Sequence, residues 1–253
     1  MNITTELDFT GTNETHPWAG QFSVLTYATG GISLIPKNFF STWHGLSAED
    51  YPFNFFIGCC SGLGVGSTVK YDSAAQSLRV GRFVSGGSGL RFILNGQHEM
   101  RNISTYMFDI ADAGLRRPDT PQYADSIIRN DVWLGDEVMM LGGGIIENGC
   151  VIAARAVLPP NFRSEPYGIY GGSPARLIRY RFCDAVRSAL LNLAWWDLPL
   201  SWIRENNALF LSDLTTDTDA ALAIIAQLEE NKRRHLHKAQ PRPAATQAKQ
   251  IQT

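Results

Sequence analysis

A six-residue period runs through the middle of this chain and limits its possible folds more than any other feature. Aliphatic residues open six successive hexads, at Ile128, Leu134, Met140, Ile146, Ile152 and Leu158. The fifth residues are Val132, Val138, Gly144, Cys150, Ala156 and Phe162, mostly small. This register predicts a triangular coil. Each hexad forms one short flat strand, its first residue points inward, and its fifth sits near a corner. Three hexads close a turn, and successive turns stack at strand spacing, roughly 4.8 Å. Hexapeptide repeats of this kind mark a parallel β-helix, so the expected core is all-β.

The rest of the chain is read against that register. A rough hexad pattern appears at 57–68 (IGCCSG, LGVGST), pauses over YDSAAQS and resumes at Val80, which places the coil over residues 57–180. Residues 107–125 break the pattern with polar, proline-containing text. They are expected to form a loop ejected from the coil, and long loops on a rigid scaffold often carry function. Residues 1–56 begin polar and continue rich in aromatics (Trp18, Phe22, Phe39, Phe40, Trp43, Phe53, Phe55, Phe56), as a cap over one end of the coil would. From Arg181 the period changes to 3.6, with Phe182, Val186, Leu190, Leu193 and Ala194 on one face of a helix. A second helix is expected over 199–211. A third, over 217–234, starts acidic (Asp217, Asp219) and ends basic (Lys232, Arg233, Arg234), as the helix dipole favours. C-terminal helices thus occupy 181–236, and the biased composition of 237–253 predicts a disordered tail.

At 253 residues the chain can bury a real core and carry appendages. Its formal net charge of −2 offers no basic field for nucleic acid or an anionic membrane. No apolar run approaches the ~20 residues that span a bilayer, and the polar N-terminus does not read as a secretion signal. The four cysteines, Cys59, Cys60, Cys150 and Cys183, lack metal-ligand spacing and read as free thiols in a reducing compartment. The expectation is a cytoplasmic protein.

Among residues that carry chemistry, His98 stands first. It is the only histidine inside the repeat region, at the end of Asn95-Gly96-Gln97-His98 and just upstream of the loop. Two readings are open: a corner histidine satisfied by backbone, or an exposed imidazole acting as general base, worth roughly 10²–10⁴ in rate. His16, His44, His235 and His237 lie outside the coil, which argues against a three-imidazole zinc site, and no metal is expected. The runs Gly86-Gly87-Ser88-Gly89 and Gly142-Gly143-Gly144 do not open a helix after a strand, so they are weak phosphate-loop signals. They read as corners, although flat glycine surfaces also admit a ligand to backbone N–H groups. Arg176, Arg179 and Arg181 follow Gly171-Gly172-Ser173-Pro174-Ala175. They read either as a site for the phosphates of a long cofactor or as a solvated helix start. Trp195-Trp196 reads as packing.

Taken together, IRNDVWLGDEV, the hexads after it, GGSPARLIRYRF and AWWDLPLSWI resemble the hexapeptide xenobiotic acetyltransferases. That family includes the type B chloramphenicol and streptogramin A enzymes and related sugar O-acetyltransferases. The likeness covers roughly residues 80–210. It implies a left-handed parallel β-helix, a homotrimer with active sites in clefts between subunits, and acetyl-CoA as donor. It places the catalytic base on His98. The antibiotic branch carries its histidine one position later, opposite Glu99, whereas the sugar-acetylating branch has the spacing to Ser104-Thr105 found here. It implies acceptor contacts at Asn95, Ser104 and Tyr106, with Met107 where the family has proline. For the cofactor it implies Trp133 beside the pantetheine arm, the Asp136 N–H facing the thioester, and an Ala154 backbone contact. Pro160 replaces a family lysine, leaving Arg155, Arg176 and Arg179 to meet the phosphates.

The resemblance thus implies an acetyl-CoA-dependent transfer of an acetyl group to a hydroxyl of an antibiotic, a secondary metabolite or a glycan. The extra N-terminal region and the His98-to-Ser104 spacing favour a biosynthetic acceptor. Two other readings stay open: an amino-sugar N-acetyltransferase, and a catalytically silent β-helix that scaffolds a partner.

Overall fold

The computed structural model describes residues 22–26, 40–42, 55–71, 76–94, 96–116 and 124–239, with backbone alone at 40–42, 71 and 239. Most of the expected N-terminal cap, Asn95, residues 117–123 of the loop, and the tail beyond Ala239 lie outside these. The described chain divides into two units, one ending at Phe182 and one beginning at Cys183.

In the first unit the hexads do what their residues dictate. Ile128, Leu134, Met140, Ile146, Ile152 and Leu158 are each no more than 1% exposed, and the fifth-position residues behind them are buried too. Trp133 pairs in parallel with Val151, and Val151 with Ile169. Both steps are 18 residues, three hexads to a turn. Met139 on Val157 and Gly144 on Phe162 repeat the step on the other two faces. Among the described residues the strands form three sheets. The first runs through Gly62–Gly64, Ser85–Gly86, Trp133–Leu134, Val151–Ile152 and Gly168–Gly171. It ends in the antiparallel strands Phe22–Leu25 and Arg176–Tyr180. The second holds Arg91–Ile93, Met139–Leu141 and Val157–Leu158, and the third Ser126–Ile128, Gly144–Ile146 and Phe162–Arg163. The fold is a parallel β-helix, as the hexad register predicts.

Two differences from the sequence reading bear on the site. Across one coil boundary the paired residues are 48 apart rather than 18, as in Ser85 with Trp133 and Arg91 with Met139. The surplus, 48 − 18 = 30 residues, leaves the coil in one segment between Arg91–Ile93 and Ser126–Ile128. Leu94 still belongs to the buried core and its N–H donates to the Lys70 carbonyl, so the ejected segment starts after Leu94, not at residue 107, and His98 rides on it rather than on a coil corner. The corners also have a feature that composition does not announce. The fourth residue of successive hexads, Asp131, Glu137, Gly143, Gly149, Arg155, Asn161 and Tyr167, has φ between +56° and +72°. Side-chain-bearing residues pay roughly 1–2 kcal/mol for that conformation. They adopt it because the backbone must turn the corner without breaking the stacked ladder.

The second unit is helical. Helix Asp184–Leu193 buries Val186, Leu190 and Leu193. Ala194 has φ +45° and ends the helix. A short helix, Leu200–Glu205, precedes the long helix Thr218–Ala239. That last helix continues through 237–239, the first residues of the expected disordered tail. Lys232 Nζ donates to the Leu193 carbonyl. The ring of Trp195 packs edge-on against Phe210 at 5.2 Å, and Trp196 is 1% exposed, so the tryptophan pair is packing. Among the described residues no helix is long and apolar enough to cross a membrane.

The stacked interior gives a direct test. Leu134→Ala removes a fully buried side chain between Gly86 and Ile152 and should cost about 2–5 kcal/mol in urea unfolding.

Candidate active site

The ejected segment folds back on itself around His98. The imidazole is exposed, and its Nδ1 lies 2.6 Å from the carbonyl oxygen of Thr105. A carbonyl can only accept, so Nδ1 carries the hydrogen of the neutral ring and the lone pair sits on Nε2. The backbone satisfies one ring nitrogen and leaves the other with its lone pair.

Local hydrogen bonds hold the segment. Ser104 Oγ accepts from the Tyr106 N–H at 3.0 Å, and Met107 is buried. Tyr106 packs edge-on against Phe108 at 5.3 Å, both about half exposed. Glu99, which stands opposite the antibiotic branch's histidine, is committed elsewhere. It accepts from the Arg101 N–H and Nε at 2.9 Å and from Nη2 at 2.6 Å. Those bonds hold its carboxyl down at about 2, which makes it a poor proton acceptor near neutrality.

The expected cofactor residues fall on one side of the prism. Trp133 projects from the first sheet, 56% exposed, with Ser85 and Val151 as its register neighbours. One strand later the chain turns the corner at Asp136, and one coil later at Ala154, both exposed. The coils press closely here. A Cβ on Gly135 would lie 2.5 Å from the Ala154 nitrogen, and one on Gly87 would lie 2.7 Å from the Asp136 nitrogen. The Asp136 carbonyl accepts the Arg155 N–H at 2.8 Å. Arg155 Nε meets Glu137 Oε2 at 2.6 Å on the exposed surface. Among the described residues, no acceptor lies on the backbone N–H of Asp136 or Ala154.

Arg176 and Arg179 lie exposed on the edge strand, where each donates to a carbonyl next to it in sequence, of Ala175 at 2.9 Å and Tyr180 at 3.2 Å. Their charges are available to an anion. Arg181 is different: it pairs with Asp131 at 3.2 Å, donates to the Gly149 carbonyl at 2.8 Å and lies 5.4 Å over the Tyr167 ring. It secures the end of the coil and is not part of a phosphate cluster. Burial pushes the Asp131 carboxyl up to about 6 despite Arg181.

The structure therefore groups the site residues in two sets. Trp133, Asp136, Ala154 and Arg155 share one corner of the coil, while His98, Ser104 and Tyr106 share the ejected segment. Among the described residues the single hydrogen bond of His98 is the one to Thr105, and none joins it to the corner. Sequence reasoning did not find the Thr105 carbonyl, because a backbone acceptor leaves no residue-type signal.

No family model matches the chain. Curated relatives do. A probable macrolide acetyltransferase from Lysinibacillus sphaericus is 36% identical over 149 residues, covering 56% of this chain and 82% of the relative. A chloramphenicol acetyltransferase from Agrobacterium fabrum is 34% identical over 162 residues, 58% of this chain and 74% of its own. A virginiamycin A acetyltransferase from Staphylococcus aureus is 40% identical over 141 residues, 54% and 64% respectively. With a stacked hexad coil, an ejected segment bearing a histidine, and relatives of this identity over most of their own length, the chain belongs to the hexapeptide-repeat antibiotic acetyltransferase family.

Proposed function

We propose that this protein transfers the acetyl group of acetyl-CoA to a hydroxyl of a small molecule, with His98 as the general base. One observation carries the proposal: the Thr105 carbonyl holds Nδ1–H and leaves Nε2 as the acceptor of a proton. In the proposed step Nε2 takes the hydroxyl proton and the oxygen attacks the thioester carbonyl. The tetrahedral oxyanion is held by backbone N–H groups at the Asp136 corner. Collapse breaks the C–S bond, and the imidazolium returns its proton to the departing thiolate. The products are an acetyl ester and CoA, with no covalent enzyme intermediate.

The donor residues fit such a substrate. Trp133 offers an exposed apolar plane beside the open amides, and Arg155, Arg176 and Arg179 offer guanidinium groups for phosphates. Ser104 and Tyr106 would meet the acceptor from the ejected segment, and Asn95 is a third acceptor contact that the resemblance implies. That segment exposes Met100, Ile103, Tyr106, Phe108 and Ile110, which favours a hydroxylated acceptor with a large apolar surface over a glycan. The names of the relatives, which cite macrolide, chloramphenicol and virginiamycin A, agree with an antibiotic-like acceptor. A homotrimer in which neighbouring protomers complete each cleft, as the resemblance implies, would bring the His98 of one protomer to the corner of another. Free Cys59, Cys60, Cys150 and Cys183 fit a cytoplasmic location.

Release of CoA thiol, assayed across hydroxylated antibiotics and hydroxylated saccharides, tests the assignment. The expected result is turnover with members of the first group. His98→Ala should lower kcat about 10²-fold or more while CoA still raises the melting temperature, and Glu99→Gln should keep near-native turnover. Full activity in His98→Ala, or its loss in Glu99→Gln with His98 intact, would contradict the assignment of the base. Arg176→Ala and Arg179→Ala are each expected to raise KM for acetyl-CoA about tenfold, the loss of one charge-assisted hydrogen bond, with kcat unchanged.

A further inference from the structure

Cys59 and Cys60 stand side by side at a corner of the coil, as the third and fourth residues of the hexad that opens at Ile57. Both are partly exposed free thiols. Cys60 has φ +58°, the left-handed conformation that the later corners also take. The backbone around the pair is fixed from two directions. The Thr26 hydroxyl donates to the Gly58 carbonyl at 2.6 Å and accepts from the Ser61 N–H at 3.0 Å, while the Thr26 N–H donates to the Ser61 carbonyl at 2.8 Å. Towards the next coil, the Gly58 N–H donates to the Val80 carbonyl at 2.8 Å and the Ser61 hydroxyl to the Gly81 carbonyl at 2.8 Å. The Phe83 N–H donates to the Cys59 carbonyl at 3.2 Å. Two sulfurs are thus presented together on a backbone that is already ordered.

The other two cysteines are placed differently. Cys150 is 0% exposed, its sulfur 3.2 Å from Ser164 Oγ and 3.1 Å from the Glu165 carbonyl. Cys183 is exposed, 3.7 Å from Thr218 Oγ1. Cys60 instead has the Cys59 side chain as a hydrogen-bond partner, and burial together with that neighbour pushes its thiol up to about 11. Near neutrality it therefore carries little of the thiolate that reacts with peroxides and disulfides. Geometry resists a direct disulfide as well. The peptide between the pair is trans. Consecutive Cα atoms lie about 3.8 Å apart across a trans peptide, whereas disulfides favour roughly 4.4–6.8 Å. An atom inserted between the sulfurs enlarges the ring and relieves that strain. Trivalent arsenic accepts a bond from each of two protonated thiols with no change of oxidation state. We propose that Cys59 and Cys60 form a chelating site for a monosubstituted trivalent arsenical. Both S–H bonds and both As–O bonds break, and an As–S bond forms at each sulfur. Each thiol proton leaves with a hydroxyl of the arsonous acid as water. The ordered corner lowers the entropy cost of closing the chelate. The site is independent of the acetyl-transfer reading.

Phenylarsine oxide, added to the reduced full-length protein, is the probe. The expected result is retention of the arsenical through gel filtration in excess monothiol, and its release by dithiothreitol. Peptide mapping by mass spectrometry should show iodoacetamide labelling blocked at Cys59 and Cys60 and unchanged at Cys183. Cys59→Ser and Cys60→Ser should each weaken retention about 10²-fold or more, the loss of the intramolecular second bond. Cys150→Ser and Cys183→Ser should keep it. The mapping uses the unaltered protein, so it decides the matter even where a serine variant fails to fold. No retention by the wild-type protein, protection centred on Cys150 or Cys183, or unchanged retention in both Cys59→Ser and Cys60→Ser would overturn the proposal. Oxidised glutathione provides a further arm. Both thiols should remain titratable after exposure to it, and rapid formation of a Cys59–Cys60 disulfide would make the corner a redox pair and refute the chelating assignment.

Discussion

An inward aliphatic residue stacked on its counterpart eighteen residues away is what everything else in this protein depends on. Leu134 over Ile152 is the repeating unit, buried completely. Burying one such side chain stabilises by roughly 1.5–3 kcal/mol, and the stack repeats down three faces. The register then leaves no freedom at the corners. Coils must approach until a Cβ on Gly135 would collide with the next backbone, and the fourth residue of each hexad from Ile128 onward must accept a left-handed conformation. Rigid corner amides are a by-product of this packing, and a rigid amide with no acceptor on it is a ready hydrogen-bond donor.

The ejected segment contributes the opposite quality. Around His98 it is held not by a stacked core but by short bonds to itself: Glu99 with Arg101, Ser104 with Tyr106, His98 with Thr105. Only one of these has chemical consequence, because it decides which imidazole nitrogen keeps its lone pair. The proposed catalyst thus unites two kinds of order, a rigid lattice that presents donors and a short self-bonded segment that presents a base.

The coil was legible in the sequence because its rule is strictly periodic. First-position aliphatics at Ile128 through Leu158 reported burial directly, and the 3.6 period from Val186 to Leu193 reported a helix. The corners were not legible. Glu137, Arg155 and Tyr167 have no preference for positive φ, so their conformation is imposed by stacking and leaves no local trace. The start of the ejected segment was misplaced because Gly96-Gln97-His98 reads like a corner, and only the 48-residue register shows that the coil has already been left. Arg181 looked like a third member of a phosphate cluster, yet its partners Asp131 and Gly149 are 50 and 32 residues away in sequence, beyond the reach of any spacing argument. At the site, the residue types His98, Trp133 and Asp136 could be picked out by resemblance. The backbone groups beside them, the Thr105 carbonyl and the open amides, could not.

The most direct measurement is a crystal structure of the full chain with acetyl-CoA and an acceptor it acetylates. The account predicts the thioester carbonyl oxygen within hydrogen-bond distance of the Asp136 N–H, and the acceptor hydroxyl on Nε2 of a His98 whose Nδ1 still faces the Thr105 carbonyl. A thioester seated away from that corner, or an acceptor hydroxyl out of reach of Nε2, would contradict it.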